Sequence, residues 1–348
     1  MSVGVVFGQM LVLLAMMAVG FFAYKKNWVT DETAGHFSKL VVNIFNPILV
    51  VNGVLGQNSA DAGSNVAWNL VFIGAYFVLL VILGYGMPFI VRPERKYKNI
   101  YRLMTIFSNV GFMGIPVIKS IFGDGAMIYV AFYILGYNIM LYTCGMYLSR
   151  KAGEDNQSKR ESYLETLAAY REGKSDMTEE QIVRSVLSQK EPMVKTSFLK
   201  RVMNPGVIAA MLAVVIFVSG IQMPGPIVTF CDYMGNTTIP LSMIMIGISI
   251  AQADPKEVFT DLRMYLFILL RMILLPISMI FALNGFVAAN GIDPMVFGVF
   301  IIELGMPVGS IIVMLTRENG GDAAYCTRGV VLSTLASIVT IPVICAFL

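Results

Sequence analysis

Long apolar runs, each followed by a short polar connection, fill most of this chain. Crossing about 30 Å of hydrocarbon takes roughly 20 apolar residues in helical form. Runs of that length predict ten transmembrane helices near 4–24, 36–55, 68–90, 99–121, 125–149, 203–221, 227–251, 263–289, 294–316 and 325–347. One polar stretch, 150–201, divides them into a first half, 1–149, and a second, 202–348. Within it, Glu161 to Gln189 reads as an amphipathic helix in or near the membrane interface.

Composition supports this reading. Hydrophobic residues make up 57% of the 348 and charged residues only 14%, against about 25% in soluble domains. With a mean hydropathy of +0.73, the chain has too little polar surface to cover a water-soluble globule, and lipid is its expected solvent. The first run, Val3 to Tyr24, exceeds a signal-peptide core and has no charged residue before it, so a membrane helix is expected there rather than a cleaved leader. A net charge of +3, with no basic stripe outside the loops, argues against a nucleic-acid partner.

Charge also orients the spans. Of the 25 Lys and Arg residues, all but Lys119 and Arg271 fall in the loops after spans 1, 3, 5, 7 and 9 or beside them. Cytoplasmic loops carry the excess of basic residues. Both termini are therefore expected outside and 150–201 in the cytoplasm of a cell (plasma or inner) membrane.

Helix breakers recur in the two halves. Span 2 contains Asn46-Pro47 and span 4 contains GFMGIPV with Pro116; span 7 contains Thr238-Ile239-Pro240 and span 9 contains ELGMPV with Pro307. Gly114-Ile115-Pro116 parallels Gly305-Met306-Pro307, each followed by Val. Five spans per half is an odd number, so the second half is inverted relative to the first. Proline inside a helix costs about 3 kcal/mol and glycine about 1 kcal/mol. Gly111, Gly114 and Pro116, and likewise Gly305, Pro307 and Gly309, predict broken helices 4 and 9 that cross at mid-membrane. Interrupted spans at matching places in two halves point to a transport site, where half-helix N-termini offer partial positive charge to an anion.

Polar residues in apolar runs are the candidate site. Glu303 lies one turn before Pro307, and an ionised group at membrane depth costs roughly 3 kcal/mol or more. Ser108 and Asn109 are its expected neighbours. The three would bring hard oxygens suited to a sodium ion, or to a proton on Glu303. Otherwise Glu303 is half of a structural ion pair with Arg271. Arg271, in FILLRMILLP, has three readings: pairing with Glu303, contacting a carboxylate substrate, or snorkelling to the cytoplasmic interface. Asn46 is placed to line the site, while Asn138 reads equally as glue between helices. Lys119 reads as a snorkelling residue, and His36 as interfacial. Cys144, Cys231, Cys326 and Cys345 form no CxxC pair or Cys/His cluster and read as small buried hydrophobes.

Several of these segments resemble the bacterial auxin efflux carrier (AEC) family, which includes malate and malonate permeases. They are FSKLVVNIFNPILVVNGV, SNVGFMGIPV, FLKRVMNPGVIAAMLAVV followed by MPGPI, and IPLSMIMIGISIA. The resemblance spans nearly the whole chain except the central loop. It implies a ten-helix fold shared with plant PIN auxin carriers and, more distantly, bile-acid sodium symporters. That fold has a scaffold domain (helices 1, 2, 6 and 7), a transport domain (helices 3–5 and 8–10) with crossing helices 4 and 9, and a homodimer joined through the scaffold. Pro116 and Pro307 then match the crossover prolines, and Asn109 the polar residue before the first break. IELGMP resembles the symporter segment whose glutamate binds sodium, here Glu303, and Ser108-Asn109-Val110 resembles its partner segment. Pro307 stands where those symporters carry a polar residue.

The expected function is elevator-type secondary transport of small organic anions, mono- or dicarboxylates such as malate or malonate. Its substrate-binding candidates are Asn46, Asn109, Gly114, Pro116, Gly305, Pro307 and Arg271, and its ion-coupling candidates Ser108, Asn109 and Glu303. No cofactor is expected beyond a coupling sodium ion or proton. The competing reading is a sensor on the same fold signalling through 150–201, disfavoured because no output domain follows the last span. Enzymatic activity is disfavoured by the lack of paired carboxylates in one helix, a Ser/His constellation, HExxH or a phosphate loop.

Overall fold

A computed structural model describes residues 3–55, 63–156 and 203–348. Among them the secondary structure is helical, with one isolated antiparallel backbone bridge between Ser108 and Val308. In chain order the helices are α1 Val3–Lys25, α2 Asp31–Leu40, α3 Asn46–Asn52, α4 Gly63–Val91, α5 Lys98–Ile106, α6 Ile115–Phe122, α7 Met127–Met140 and α8 Met146–Asp155. After the central stretch come α9 Pro205–Ser219, α10 Gly225–Gln252, α11 Pro255–Thr260, α12 Leu262–Ile268, α13 Leu275–Ala289, α14 Pro294–Gly305, α15 Ile311–Glu318 and α16 Ala323–Phe347. The helix expected over Glu161–Gln189 lies outside the described residues.

Among the described residues, seven helical stretches are long and apolar enough to cross a membrane, and three shorter apolar ones accompany them: Val110–Phe122, Pro205–Ser219 and Pro294–Gly305. The shorter ones correspond to predicted spans 4, 6 and 9. Spans 4 and 9 are short because each is interrupted. Span 6 is short because Asn204 caps its start and Gly220, in the left-handed conformation, ends it. Exposed large side chains such as Phe22, Ile82, Phe89, Leu262 and Phe281 give these helices an apolar outer surface, as expected of a multi-pass protein whose solvent is hydrocarbon.

Most prolines do not break their helices. Three π-helical turns, Val41–Phe45, Val110–Gly114 and Leu269–Leu274, lead directly into Asn46-Pro47, Ile115-Pro116 and Leu275-Pro276. A wider turn removes the clash between the proline ring and the carbonyl one turn earlier, so the chain continues as helix. Pro240 lies inside the uninterrupted α10. The expected break near Pro116 instead falls at Phe107–Asn109, about two turns earlier. The second break, Met306–Ser310, does contain Pro307. The sequence parallel between the two Gly-X-Pro triplets therefore does not mark equivalent places relative to the breaks.

Polar contacts near helix ends fall into two sets with no shared residue. Asn99 donates to Asp155 at 2.6 Å, Tyr325 to Asp261 at 2.6 Å, and Arg328 pairs with Glu257 at 2.6 Å. Lys119 pairs with Asp124 at 2.9 Å, Asn65 donates to Asp293 at 3.0 Å and Asn52 to Asp232 at 3.3 Å. The first set joins positions beside the basic loops, and the second joins positions beside the others.

Helices α1 and α10 pack along each other at close range. A Cβ on Gly247 would stand 1.8 Å from the Met17 carbonyl oxygen, and one on Gly20 2.0 Å from that of Ile244. Small residues let membrane helices approach backbone to backbone, and a backbone carbonyl cannot swing aside as a flexible side chain can. Gly247→Ala is expected to cost about 1–3 kcal/mol through overpacking. Gly74→Ala, where nothing lies within 4 Å, is the control. Thermal midpoints in detergent that are equal for the two variants would refute this account of the α1–α10 contact.

Candidate functional site

The two interruptions arise from different local chemistry. At the second, Met306 is extended (φ −62°, ψ 144°) because Pro307 follows it, and the residue before proline is pushed out of the helical region. The first contains no proline. There Phe107 turns extended (φ −108°, ψ 96°), and the Asn109 side chain accepts from the Phe112 N–H at 3.1 Å, capping the helical turn that resumes at Val110.

The exposed backbone groups then satisfy each other. Asn109 N–H donates to the Pro307 carbonyl at 2.8 Å and Gly309 N–H to the Phe107 carbonyl at 2.9 Å. Val308 N–H donates to the Ser333 hydroxyl at 3.1 Å. Phe107, Ser108, Asn109 and Met306 to Gly309 are all buried. At membrane depth each unpaired backbone group costs several kcal/mol, so this reciprocal pairing is what permits both breaks.

Arg271 closes the junction. It is 1% exposed and sits in the π-helical turn Leu269–Leu274. Its Nε donates to the Thr105 carbonyl at 2.9 Å, one Nη donates to the Leu304 carbonyl and the other to the Ser108 hydroxyl. Tyr76 shares a 2.8 Å hydrogen bond with the same hydroxyl. Glu303 lies next to this network with 0% exposure, and neither carboxylate oxygen has a hydrogen-bond partner. A Cβ on Gly114 would stand 2.9 Å from Glu303 Oε1 and 3.3 Å from Oε2, so the carboxylate rests against the bare Gly114 backbone. Tyr76 and Tyr133 lie within electrostatic range of Glu303, and the Tyr133 hydroxyl is also buried without a partner.

A family model described as membrane transport protein matches residues 5–345. The chain belongs to this transporter family, that of the auxin efflux carriers. Two proteins described as uncharacterized transporters are similar to it over nearly their whole length. The one from Methanothermobacter thermautotrophicus is 20% identical, over 95% of this chain and 94% of its own. The one from Methanocaldococcus jannaschii is 20% identical, over 95% of each.

In this transporter Ser108, Asn109, Arg271, Glu303, Gly114, Gly305 and Pro307 gather around the two breaks. Pro116 lies beyond, after the widened turn. Gly305 faces the neighbouring helix: a Cβ there would meet Ile344 Cδ1 at 2.4 Å. Asn46 approaches the junction from α3; its Oδ1 is buried without a partner, and its Nδ2 would lie 3.9 Å from a Cβ on Gly111. Asn138 accepts from Asn204 at 2.7 Å, the glue reading. Lys119 reaches Asn236 at 3.0 Å as well as Asp124. His36 is exposed, and Cys231, Cys326 and Cys345 are buried. Tyr76 and Tyr133 were absent from the sequence-derived site. The signal that marks them is a tyrosine deep within an apolar run, where its hydroxyl requires a polar partner.

The oxygens expected to bind sodium do not fit that ion. Ser108 Oγ already accepts from the Arg271 guanidinium, and Asn109 Oδ1 caps the Phe112 N–H. Of these three residues, Glu303 alone has side-chain oxygens without a hydrogen-bond donor. Nor does Glu303 form the alternative ion pair with Arg271, whose three nitrogens bind Thr105, Leu304 and Ser108.

The Gly114–Glu303 contact can be tested directly. Gly114→Ala is expected to destabilise the fold by about 1–3 kcal/mol. Adding Glu303→Asp, which withdraws the carboxylate, should return part of that loss as a coupling energy of about 0.5–3 kcal/mol. Strictly additive losses in a thermal-unfolding double-mutant cycle would place the two residues apart.

Proposed function

We propose that this transporter is a secondary active carrier of small organic anions, mono- or dicarboxylates of the malate or malonate class, coupled to protons through Glu303. Its ten helical spans form two inverted five-span repeats whose broken helices 4 and 9 cross at the paired interruptions. Spans 1, 2, 6 and 7 act as a dimerising scaffold. The remaining spans slide against it as a unit, with both termini outside and 150–201 in the cytoplasm of a cell membrane.

One observation carries this reading: Glu303 and Arg271 are both buried beside the same paired breaks, and the carboxylate has no hydrogen-bond donor. Charge bookkeeping at membrane depth then favours a proton. An ionised Glu303 cancels Arg271, so the empty site is neutral overall. A monocarboxylate arriving alone leaves a net negative charge in a low-dielectric region, which is costly to move. A monocarboxylate arriving with a proton on Glu303 restores neutrality, and a dicarboxylate does so when a second proton accompanies it. Asn46 and the resumed helix starting at Val110 supply amide and N–H groups within reach of such an anion.

Reconstituted in liposomes, the wild-type protein is expected to accumulate a labelled carboxylate when a pH gradient is imposed. Glu303→Gln should lose gradient-driven accumulation by roughly tenfold or more, as removal of a coupling group worth about 1.4 kcal/mol or more implies, while counterflow exchange persists. Accumulation with unchanged pH dependence in Glu303→Gln would remove Glu303 from coupling. No carboxylate flux of any kind would remove the substrate assignment.

A further inference from the structure

The junction of the two breaks presents an electrostatic problem that goes beyond substrate choice. Helices α5 and α14 both end there, at Ile106 and Gly305. The last carbonyls of a helix have no intrahelical partner and carry the negative end of its dipole. Two such ends brought together in a dry interior, beside the Glu303 carboxylate, need positive charge. Arg271 supplies it: its donors reach the last-turn carbonyls of both helices, Thr105 and Leu304, together with the Ser108 hydroxyl between them.

We infer that Arg271 is a resident cation, its guanidinium filling the position between the two helix ends that a bound metal cation would otherwise have to occupy, so that the junction is held without sodium. The chemistry suits arginine in particular. Its planar fork carries five N–H groups in fixed directions and stays charged when buried, and here it binds one carbonyl on each of two helices and the Ser108 hydroxyl between them. The π-helical turn Leu269–Leu274 carries Arg271 at the level of the breaks, just ahead of Pro276. A sodium ion sharing Ser108 Oγ would meet a guanidinium already bound there. Tyr76 and Glu303 are the titratable groups that face the guanidinium. Arg271 is thus a positioning residue. This inference rests on the transport reading only in its consequence, that coupling does not use sodium.

The test is thermal unfolding of the purified full-length protein in detergent without substrate, so its outcome is independent of the carboxylate assignment. Wild-type midpoints are expected to agree in sodium, potassium and choline chloride at equal ionic strength. A saturable rise of about 3 °C or more in sodium alone, the signature of a ligand bound to the folded state, would overturn the inference. Arg271→Ala should melt lower and be partly restored by methylguanidinium but not by choline. An Arg271→Ala protein that melts like wild type and ignores every cation would also overturn it. Should that variant fail to fold, Arg271→Lys and Arg271→Gln decide. The charged lysine variant is expected to melt above the neutral glutamine variant, and the reverse order counts against a cation role.

Discussion

A broken helix inside hydrocarbon must find partners for every backbone group it frees, and this constraint organises the centre of the molecule. Neither interruption solves the problem alone. Each lends the other one N–H and one carbonyl, through Asn109 to Pro307 and Gly309 to Phe107. Three more groups are met by side chains that come from elsewhere in sequence: Ser333 for the Val308 N–H and Arg271 for the Thr105 and Leu304 carbonyls. Removing the pairing would leave several buried polar groups unsatisfied at once, which is why two distant segments must come together for either to exist.

The same pairing sets the electrostatics. Bringing two helix C-termini together concentrates negative potential, and a guanidinium with three acceptors offsets it. With the Arg271 donors committed to the junction, Glu303 is left as a buried acid whose oxygens have no donor. A buried carboxylate without a partner is expensive. The proton coupling proposed above would give this carboxylate a use.

Much of the architecture was legible in the sequence. Predicted spans at 4–24, 227–251 and 325–347 end within two residues of Val3–Lys25, Gly225–Gln252 and Ala323–Phe347, because apolar length alone determines them. Glu303 was legible too, as an acid deep in an apolar run. The position of the first break was not. Pro116 carries the strong sequence signal, but its clash is local and a widened turn absorbs it, whereas Ser108-Asn109 breaks the helix through a side-chain cap and a partner about 200 residues away. Arg271 was ambiguous for a similar reason: a mid-span arginine reads alike whether it snorkels, pairs or binds, and only tertiary placement brings Thr105, Ser108 and Leu304 to it.

Two kinds of packing therefore coexist. Between α1 and α10 the contact is backbone against backbone, permitted by Gly20 and Gly247 and needing no polar group. Around the breaks it is a polar network in which removing any member orphans others. A contact of the first kind has no alternative arrangement, because a bare carbonyl against a missing side chain fits in one register only. The network is also held from several sides, since Arg271 alone reaches three acceptors. Other surfaces are joined by few polar contacts. Among the described residues these include Asn138 with Asn204 and Lys119 with Asn236, and Asn46 adds a buried amide oxygen without a partner. Such contacts are individually worth about 1 kcal/mol, little enough that the sliding motion proposed above would exchange them for others at small cost.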